Sequence, residues 1–169
     1  VLVDAIAQVQ AQQAFGTVFM PEVGNSFFAS FGLRPRATEL GINWLANPWY
    51  AAMGTSLPYA RVVAETIRRK QFSDRAVVIT GDGGFHFQLN ELIHFQKEGL
   101  PVTIIYMRND IYHMGKSGDG PIYHCSTNQF DVLQLVRAYG GDGKRCETIG
   151  EFCDYYSRCL DENTGIRLI

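Results

Sequence analysis

The sequence contains no block of charge of one sign and no long hydrophobic run. Its 15 Lys and Arg residues nearly balance 17 Asp and Glu residues, which leaves a formal net charge of −2. Without a basic cluster, nothing favours nucleic acid or an anionic membrane surface as a partner. No apolar run approaches the roughly 18 residues that a helix needs to span a bilayer. We therefore expect partners that are small molecules or other protein chains.

Cysteine is scarce, and the four residues all lie in the last third of the chain: Cys125, Cys146, Cys153 and Cys159. None are spaced as CxxC, so the sequence does not predict a zinc site. Reduced, partly buried thiols of a cytoplasmic protein are the expected state. The first 13 residues also lack the charged start and cleavage site of a signal peptide. The chain has no initiator Met and opens inside a predicted helix, so we expect it to be a piece of something longer.

Hydrophobic periodicity divides the chain into alternating helices and strands. Continuous apolar runs predict buried strands, and apolar residues at helical spacing predict helices. The predicted strands are residues 17–20, 76–80, 102–107 and 166–169, and the predicted helices are residues 1–15, 59–70, 87–97, 130–138 and 151–160. Residues 27–50 are aromatic and are predicted to be irregular. This order predicts a single α/β domain over residues 1–169, a three-layer sandwich with a mainly parallel sheet.

Two polar loops follow the predicted strands at the middle of the chain. Ligands of open α/β sheets bind beyond the carboxyl ends of the strands. One loop, residues 81–84, places Asp82 among glycines, and the other places Asn109 beside Asp110. Carboxylate and amide oxygens suit a hard cation such as Mg²⁺, and glycines let backbone amides approach phosphate oxygens. The loops therefore predict a site for Mg²⁺ and a phosphate-bearing ligand.

The triplet Gly-Asp-Gly occurs three times, at residues 81–83, 118–120 and 141–143. Only the first copy follows a buried strand, and only from that copy does a spacer of 24 residues lead to an Asn, in the pair Arg108-Asn109. We interpret the other two copies as flexible turns. A dinucleotide site would require the pattern GxGxxG, which fails at His86, and no P-loop sequence occurs.

The first triplet and the Asn after its spacer resemble the thiamine diphosphate (ThDP) binding motif of the pyruvate decarboxylase and acetolactate synthase superfamily. The resemblance implies that the side chains of Asp82 and Asn109 and the backbone carbonyl of Ile111 bind Mg²⁺, with diphosphate oxygens and a water completing the shell. Arg108 stands where the family has the first of two Asn residues. Contacts with the cofactor are implied for Gly81, Gly83, Gly84, Asn109 and Tyr112.

Two further segments carry the resemblance. Residues 53–60 resemble the family segment M-G-x-x-L-P-x-A, in a form closer to acetolactate synthases than to pyruvate decarboxylases. By this resemblance Met53 wedges under the cofactor and holds it bent, while backbone groups of Ala51 and Met53 bond its pyrimidine edge. Residues 22–26 form a weaker match, in which Asn25 and Ser26 are expected to touch the diphosphate.

The resemblance implies a ThDP-binding fold and a share in a 2-oxo acid decarboxylase or carboligase. In the family, a Glu that activates the cofactor comes from a pyrimidine-binding domain, and no segment of this chain resembles that domain. We expect the parent chain or a partner subunit to supply it, within a homo- or hetero-oligomer. Pyruvate decarboxylases place a catalytic Glu six residues after the Mg²⁺-binding Asn. Gly115 occupies that place here, which favours an acetolactate-synthase-like carboligase.

Two alternatives stay open. The chain is a separate subunit of a sulfopyruvate or phosphonopyruvate type of decarboxylase, or it is a non-catalytic module with the ThDP fold. The pair Asp82 and Asn109 argues against the module, which need not keep metal ligands. His86 and His94 are expected to be packing or surface residues. The loop beyond Asn109 holds candidates for contact with substrate, namely Tyr112, His113, Lys116 and His124.

Overall fold

A computed structural model describes residues 1–47, 49–109 and 130–169 of the chain. The strands of these residues are β1 (Thr17–Pro21), β2 (Ile42–Trp44), β3 (Arg75–Gly81), β4 (Val102–Met107), β5 (Asp142–Gly143) and β6 (Ile166–Leu168). Their α-helices are α1 (Leu2–Gln10), α2 (Asn25–Ser30), α3 (Ser56–Lys70), α4 (Asp82–Phe87), α5 (Leu92–Glu98), α6 (Val132–Ala138) and α7 (Ile149–Glu162), with 3₁₀ turns at Phe31–Arg36 and Leu89–Glu91. None of the helices in this part of the chain has the length and apolar character needed to cross a membrane.

The strands form one parallel sheet in the order β2-β1-β3-β4-β6-β5. A parallel pair needs a crossover connection, so helices cover both faces of such a sheet. The long strands β3 and β4 lie at its centre, and the short strands β2 and β5 lie at its edges. This arrangement confirms the predicted α/β fold with a mainly parallel sheet.

The alternation of side chains along β3 divides the core into two layers. Successive strand residues point to opposite faces, so a strand buried on both faces reads as a continuous apolar run. Val77 and Ile79 pack with residues of α1 and α7, whereas Ala76 and Val78 pack with residues of α3, α5 and α6. The sheet is therefore the middle layer of the predicted three-layer sandwich.

Residues 27–50 were predicted to be irregular, and the structure corrects this. They include most of α2 and the edge strand β2, which pairs with β1 from Ile42 to Trp44. A strand of three residues is too short for its periodicity to be recognised. The third Gly-Asp-Gly triplet, predicted as a flexible turn, likewise contributes β5, which pairs with β6.

The helix predicted at residues 87–97 is two helices, and the first of them begins earlier, at Asp82. Gly83 and Gly84 therefore lie inside α4. Glycine costs roughly 1 kcal/mol relative to Ala within a helix, so the sequence alone favours a loop here. A Cβ at Gly84 would lie 2.2 Å from Cγ of Glu22, which shows that a tertiary contact requires glycine at this position.

Candidate functional site

The carboxyl ends of β1, β3 and β4 lie side by side along one edge of the sheet. β1 pairs with β3 as far as Pro21 and Ile79, and β3 pairs with β4 as far as Gly81 and Met107. Three segments leave the sheet at this edge: residues 22–26, 81–84 and 108–109. Such an edge is where parallel α/β sheets bind ligands. The fold thus brings together three sequence segments that were predicted to form one site.

Asp82 directly follows β3 and is the first residue of α4. It is buried, with 4% of its surface exposed, and its Oδ1 accepts a hydrogen bond from the backbone N–H of Gly83 at 2.9 Å. Asn109 lies two residues beyond the end of the adjacent strand and is exposed. A carboxylate beside an amide oxygen is chemistry that fits Mg²⁺. Ile111, the third predicted ligand, and Tyr112 lie outside the described residues.

The rest of the described chain adds little to a metal site. Within residues 1–47, 49–109 and 130–169, no three side chains of His, Cys, Asp or Glu gather into a group that could hold a metal ion. A cation at this edge would draw fewer than three such side chains from these residues, together with neutral oxygens and the oxygens of a phosphate-bearing ligand. Hard oxygen donors of this kind suit Mg²⁺ better than zinc.

The segment that precedes α3 turns sharply and exposes Met53. Ala51 has a φ of 45°, in the left-handed region that residues with a Cβ seldom adopt, and Gly54 has a φ of 89°. Met53 is 45% exposed, so it is not an ordinary core methionine. Its side chain is available to a ligand, and the wedge beneath the cofactor stays a prediction, as do the backbone contacts of Ala51 and Met53.

The loop after β1 leads directly into α2. Gly24 has a φ of 87°, which glycine adopts without strain. Asn25 is exposed, whereas Ser26 is buried and its hydroxyl donates to the carbonyl of Val23 at 3.5 Å. Asn25 is therefore the more accessible of the two residues that were predicted to touch the diphosphate. Both of those contacts stay predictions.

Glu22, to which the resemblance assigned no role, is an extensively bonded side chain among the described residues of this edge. It is 1% exposed. Its Oε1 accepts from the backbone N–H groups of Val23 and Gly54, both at 3.1 Å. Its Oε2 accepts from the N–H groups of Thr55 at 3.2 Å and Ser56 at 3.1 Å.

Two side chains complete the surroundings of this carboxylate. The hydroxyl of Ser56 donates to Oε2 of Glu22 at 2.9 Å, and Nε2 of Gln88 donates to the same oxygen at 2.8 Å. Nε2 of Gln88 also donates to the Ser56 hydroxyl at 2.9 Å, and its Oε1 accepts from the N–H of Leu57 at 2.7 Å. We call Glu22, Ser56 and Gln88 the Glu22 cluster. The available sequence signal was a carboxylate directly after a buried strand, which alone is too common to be diagnostic.

His86 and His94 occupy helices α4 and α5, as expected for packing or surface residues. The ring of His86 meets Phe130 edge to face, with ring centroids 5.5 Å apart. Burial lowers the pKa of His86, and the negative charge of Asp82 opposes that effect. His94 is partly buried. His113, His124 and Lys116 lie outside the described residues.

A cavity of about 1010 Å³ lies beside β4 and β6 and meets the edge described above at Arg108. Its lining includes Tyr106, Arg108, Phe130 and Lys144. Neither Asp82 nor the Glu22 cluster contributes to it. The candidate site is therefore defined by the order of the strands and by its polar side chains, not by the volume of this cavity.

Comparison with known proteins agrees with this geometry. The family model "Thiamine pyrophosphate enzyme, C-terminal TPP binding domain" matches residues 23–169. An alpha-keto-acid decarboxylase of Mycobacterium ulcerans is 29% identical over 153 residues, which cover 87% of this chain and 25% of the relative. The enzyme of the same name from Mycobacterium leprae is 27% identical over 146 residues, which cover 84% of this chain and 24% of the relative. The chain thus spans about a quarter of the length of these curated relatives.

Solved structures show the same fold. The benzoylformate decarboxylase of Polynucleobacter necessarius superposes with a TM-score of 0.74 at 16% identity, over 98% of this chain and 32% of that one. The thiamine diphosphate-dependent 4-hydroxybenzoylformate decarboxylase of Rhodococcus jostii RHA1 superposes with a TM-score of 0.71 at 16% identity. The superposition covers 98% of this chain and 31% of that one. These likenesses confirm the predicted ThDP-binding fold and carry no information about substrate.

Proposed function

Because this chain belongs to the thiamine pyrophosphate enzymes, as their C-terminal TPP binding domain, we propose that its sheet edge binds the diphosphate of ThDP through Mg²⁺. The parent enzyme would be a 2-oxo acid decarboxylase or carboligase. The observation that carries the proposal is the register of β3 and β4, which ends with Gly81 opposite Met107. That register makes Asp82 and Asn109 leave adjacent strands at one edge.

Each residue of the edge would have a separate task. Asp82 and Asn109 would hold Mg²⁺, with the backbone carbonyl of Ile111, and the amides of residues 81–84 would approach the diphosphate. Met53 would support the cofactor in its bent form. When bound, ThDP supplies the carbon nucleophile and the electron sink for loss of CO₂ from a 2-oxo acid. The chain contributes binding and orientation, which bring reacting groups together.

The chain would act together with a pyrimidine-binding domain from its parent chain or from a partner subunit. Large apolar side chains are exposed in the segments that follow β1, β2 and β3: Phe28 is 60% exposed, Trp49 92%, Tyr50 84% and Phe87 64%. Large apolar side chains exposed in segments that follow neighbouring strands favour contact with another protein surface. We therefore expect the 169-residue chain alone to bind ThDP weakly and to decarboxylate nothing.

2-Oxo acid decarboxylases and carboligases both remove CO₂ from the 2-oxo acid, and they differ in the fate of the remaining product. The relatives named alpha-keto-acid decarboxylase favour release of an aldehyde. Gly115 in place of a Glu favours transfer to a second carbonyl compound, and this residue lies outside the described ranges. Product analysis after incubation with 2-oxo acids would decide between an aldehyde and a 2-hydroxy ketone.

Binding of ThDP in the presence and absence of Mg²⁺, measured by calorimetry, tests the proposal. The protein should be the native species, with any further chain or subunit that an intact-mass analysis finds. Asp82→Ala should abolish Mg²⁺-dependent binding, whereas Asp154→Ala on the exposed face of α7 should leave it unchanged. Equal binding by the Asp82→Ala variant would refute the metal site. Absence of ThDP binding in the native protein would favour the non-catalytic module.

A further inference from the structure

We propose that the Glu22 cluster is a positioning element, which sets residues 51–55 (the Met53 segment) in place relative to Asp82; this inference rests on the proposed binding of ThDP. Neither Glu22 nor Gln88 is expected to touch the cofactor. Their side chains instead join the end of β1, the start of α3 and the end of α4 at a single buried point. The cofactor would contact both the turn at Met53 and the start of α4 at Asp82, so their relative placement would decide how well it fits.

The first contact of the cluster orders the start of α3. The first N–H groups of a helix have no partner within the helix, and Thr55 at the N-cap position provides no side-chain hydrogen bond. The Glu22 carboxylate accepts from the N–H groups of Gly54, Thr55 and Ser56 instead. The cap of α3 thus comes from the end of β1. Met53 directly precedes these bonded amides, so its backbone is placed by Glu22.

The second contact ties α4, which carries Asp82, to the same point. Gln88 immediately follows α4 and donates to both Glu22 and Ser56. It also accepts from the N–H of Leu57, the next amide of α3. The ends of β1, α3 and α4 are therefore joined through one carboxylate, one carboxamide and one hydroxyl. Loss of any of these groups leaves buried donors without acceptors, which is costly.

Two glycines provide the space for this junction. A Cβ at Gly84 would lie 2.2 Å from Cγ and 2.8 Å from Cδ of Glu22. A Cβ at Gly54 would lie 3.2 Å from Cβ of Phe87 in α4, and the φ of Gly54 is 89°. Gly84 was predicted only as a cofactor contact. The structure gives it a second reason to be glycine, namely the approach of the Glu22 side chain.

Simple packing does not account for a carboxylate at this point. A buried charge costs several kcal/mol in desolvation, and an apolar side chain of similar volume often stabilises a fold at least as well. Six donated hydrogen bonds offset that cost here, and they also impose directions that an apolar contact lacks. The Glu22 cluster is therefore suited to defining one arrangement of the segments that flank the cofactor.

The test compares ThDP with inorganic pyrophosphate, both with Mg²⁺, as ligands of the native protein. Pyrophosphate needs the Asp82 edge alone, whereas ThDP needs that edge and the Met53 segment in the right relative position. Glu22→Gln keeps the size of the side chain but turns an N–H₂ group toward backbone donors. We expect it to raise the Kd of ThDP about tenfold or more and to leave the Kd of pyrophosphate within about twofold. Glu39→Gln is the matched control, since Glu39 is exposed and pairs only with Arg36 among the described residues.

Gln88→Met provides a second, milder variant, because it removes the link to α4 and leaves Glu22 with its backbone donors. It should also raise the Kd of ThDP more than the Kd of pyrophosphate. If both variants bind the two ligands with equally raised Kd values, or with unchanged Kd values, the positioning role is overturned. If the unaltered protein binds neither ligand, the proposed function fails instead. Thermal unfolding of each variant, recorded in parallel, shows that the affinities refer to folded protein.

Discussion

Gly84→Ala is a substitution for which the structure predicts a large loss of stability from a single methyl group. The added Cβ would lie 2.2 Å from Cγ of Glu22 and 3.3 Å from Oγ1 of Thr80. Because β3 and α4 are held by the central sheet, Glu22 has to move. Overpacking of this kind costs about 1–3 kcal/mol. Displacement of the carboxylate also strains hydrogen bonds to a charged group, each of which contributes about 1.5–3 kcal/mol.

We therefore expect Gly84→Ala to lower the free energy of unfolding by about 3–5 kcal/mol, measured by urea denaturation. The matched control is Gly150→Ala in α7. Gly150 is exposed, and the nearest atom to its added Cβ would be Oγ1 of Thr148 at 4.0 Å. Alanine is the better helix former, so this variant should gain up to about 1 kcal/mol.

A loss below about 1 kcal/mol in the free energy of unfolding of Gly84→Ala would contradict this prediction, because it would mean that Glu22 can leave its place without cost. A double-mutant cycle checks the cause. In a Glu22→Ala background the obstacle is gone, and the additional cost of Gly84→Ala should become much smaller than in the unaltered chain. Additive costs would show that the two residues do not interact.

Two further predictions concern backbone strain and pH. Ala51→Gly should leave the free energy of unfolding unchanged or raise it by up to about 1 kcal/mol in thermal denaturation, because relief of the left-handed φ offsets the greater chain entropy of glycine; a clear loss of stability would contradict this. Burial raises the pKa of the Cys159 thiol from its ordinary 9.0 to about 11. The unfolded chain therefore releases this proton at a lower pH than the folded protein does. The neutral thiol contributes fully to the free energy of unfolding below pH 9.0, and this contribution should be lost as the pH rises to about 11. The free energy of unfolding, measured by denaturation at several pH values in this range, should fall more steeply with pH for the unaltered protein than for Cys159→Ala. The same pH dependence in both proteins would disprove the effect.

Much of the fold follows from local patterns. The apolar runs at β3 and β4 have the length and composition of strands buried on both faces, and the structure places both at the centre of a parallel sheet. The edge strand β2 and the early start of α4 could not be predicted in this way. β2 is too short to show a period, and α4 begins with residues of low helix propensity. Both elements exist because neighbouring parts of the chain stabilise them.

Spacing along the sequence was enough to predict two of the candidate site residues. Asp82 and Asn109 stand at the ends of two consecutive strands, and parallel pairing necessarily brings such ends to one edge. Glu22, in contrast, acquires its contacts only in the tertiary structure. Its hydrogen bonds reach residues 32 to 34 positions away, and the Gln88 contact spans 66 positions. Such contacts leave no periodic trace in the sequence, because they depend on the order of the strands and on the turn before α3.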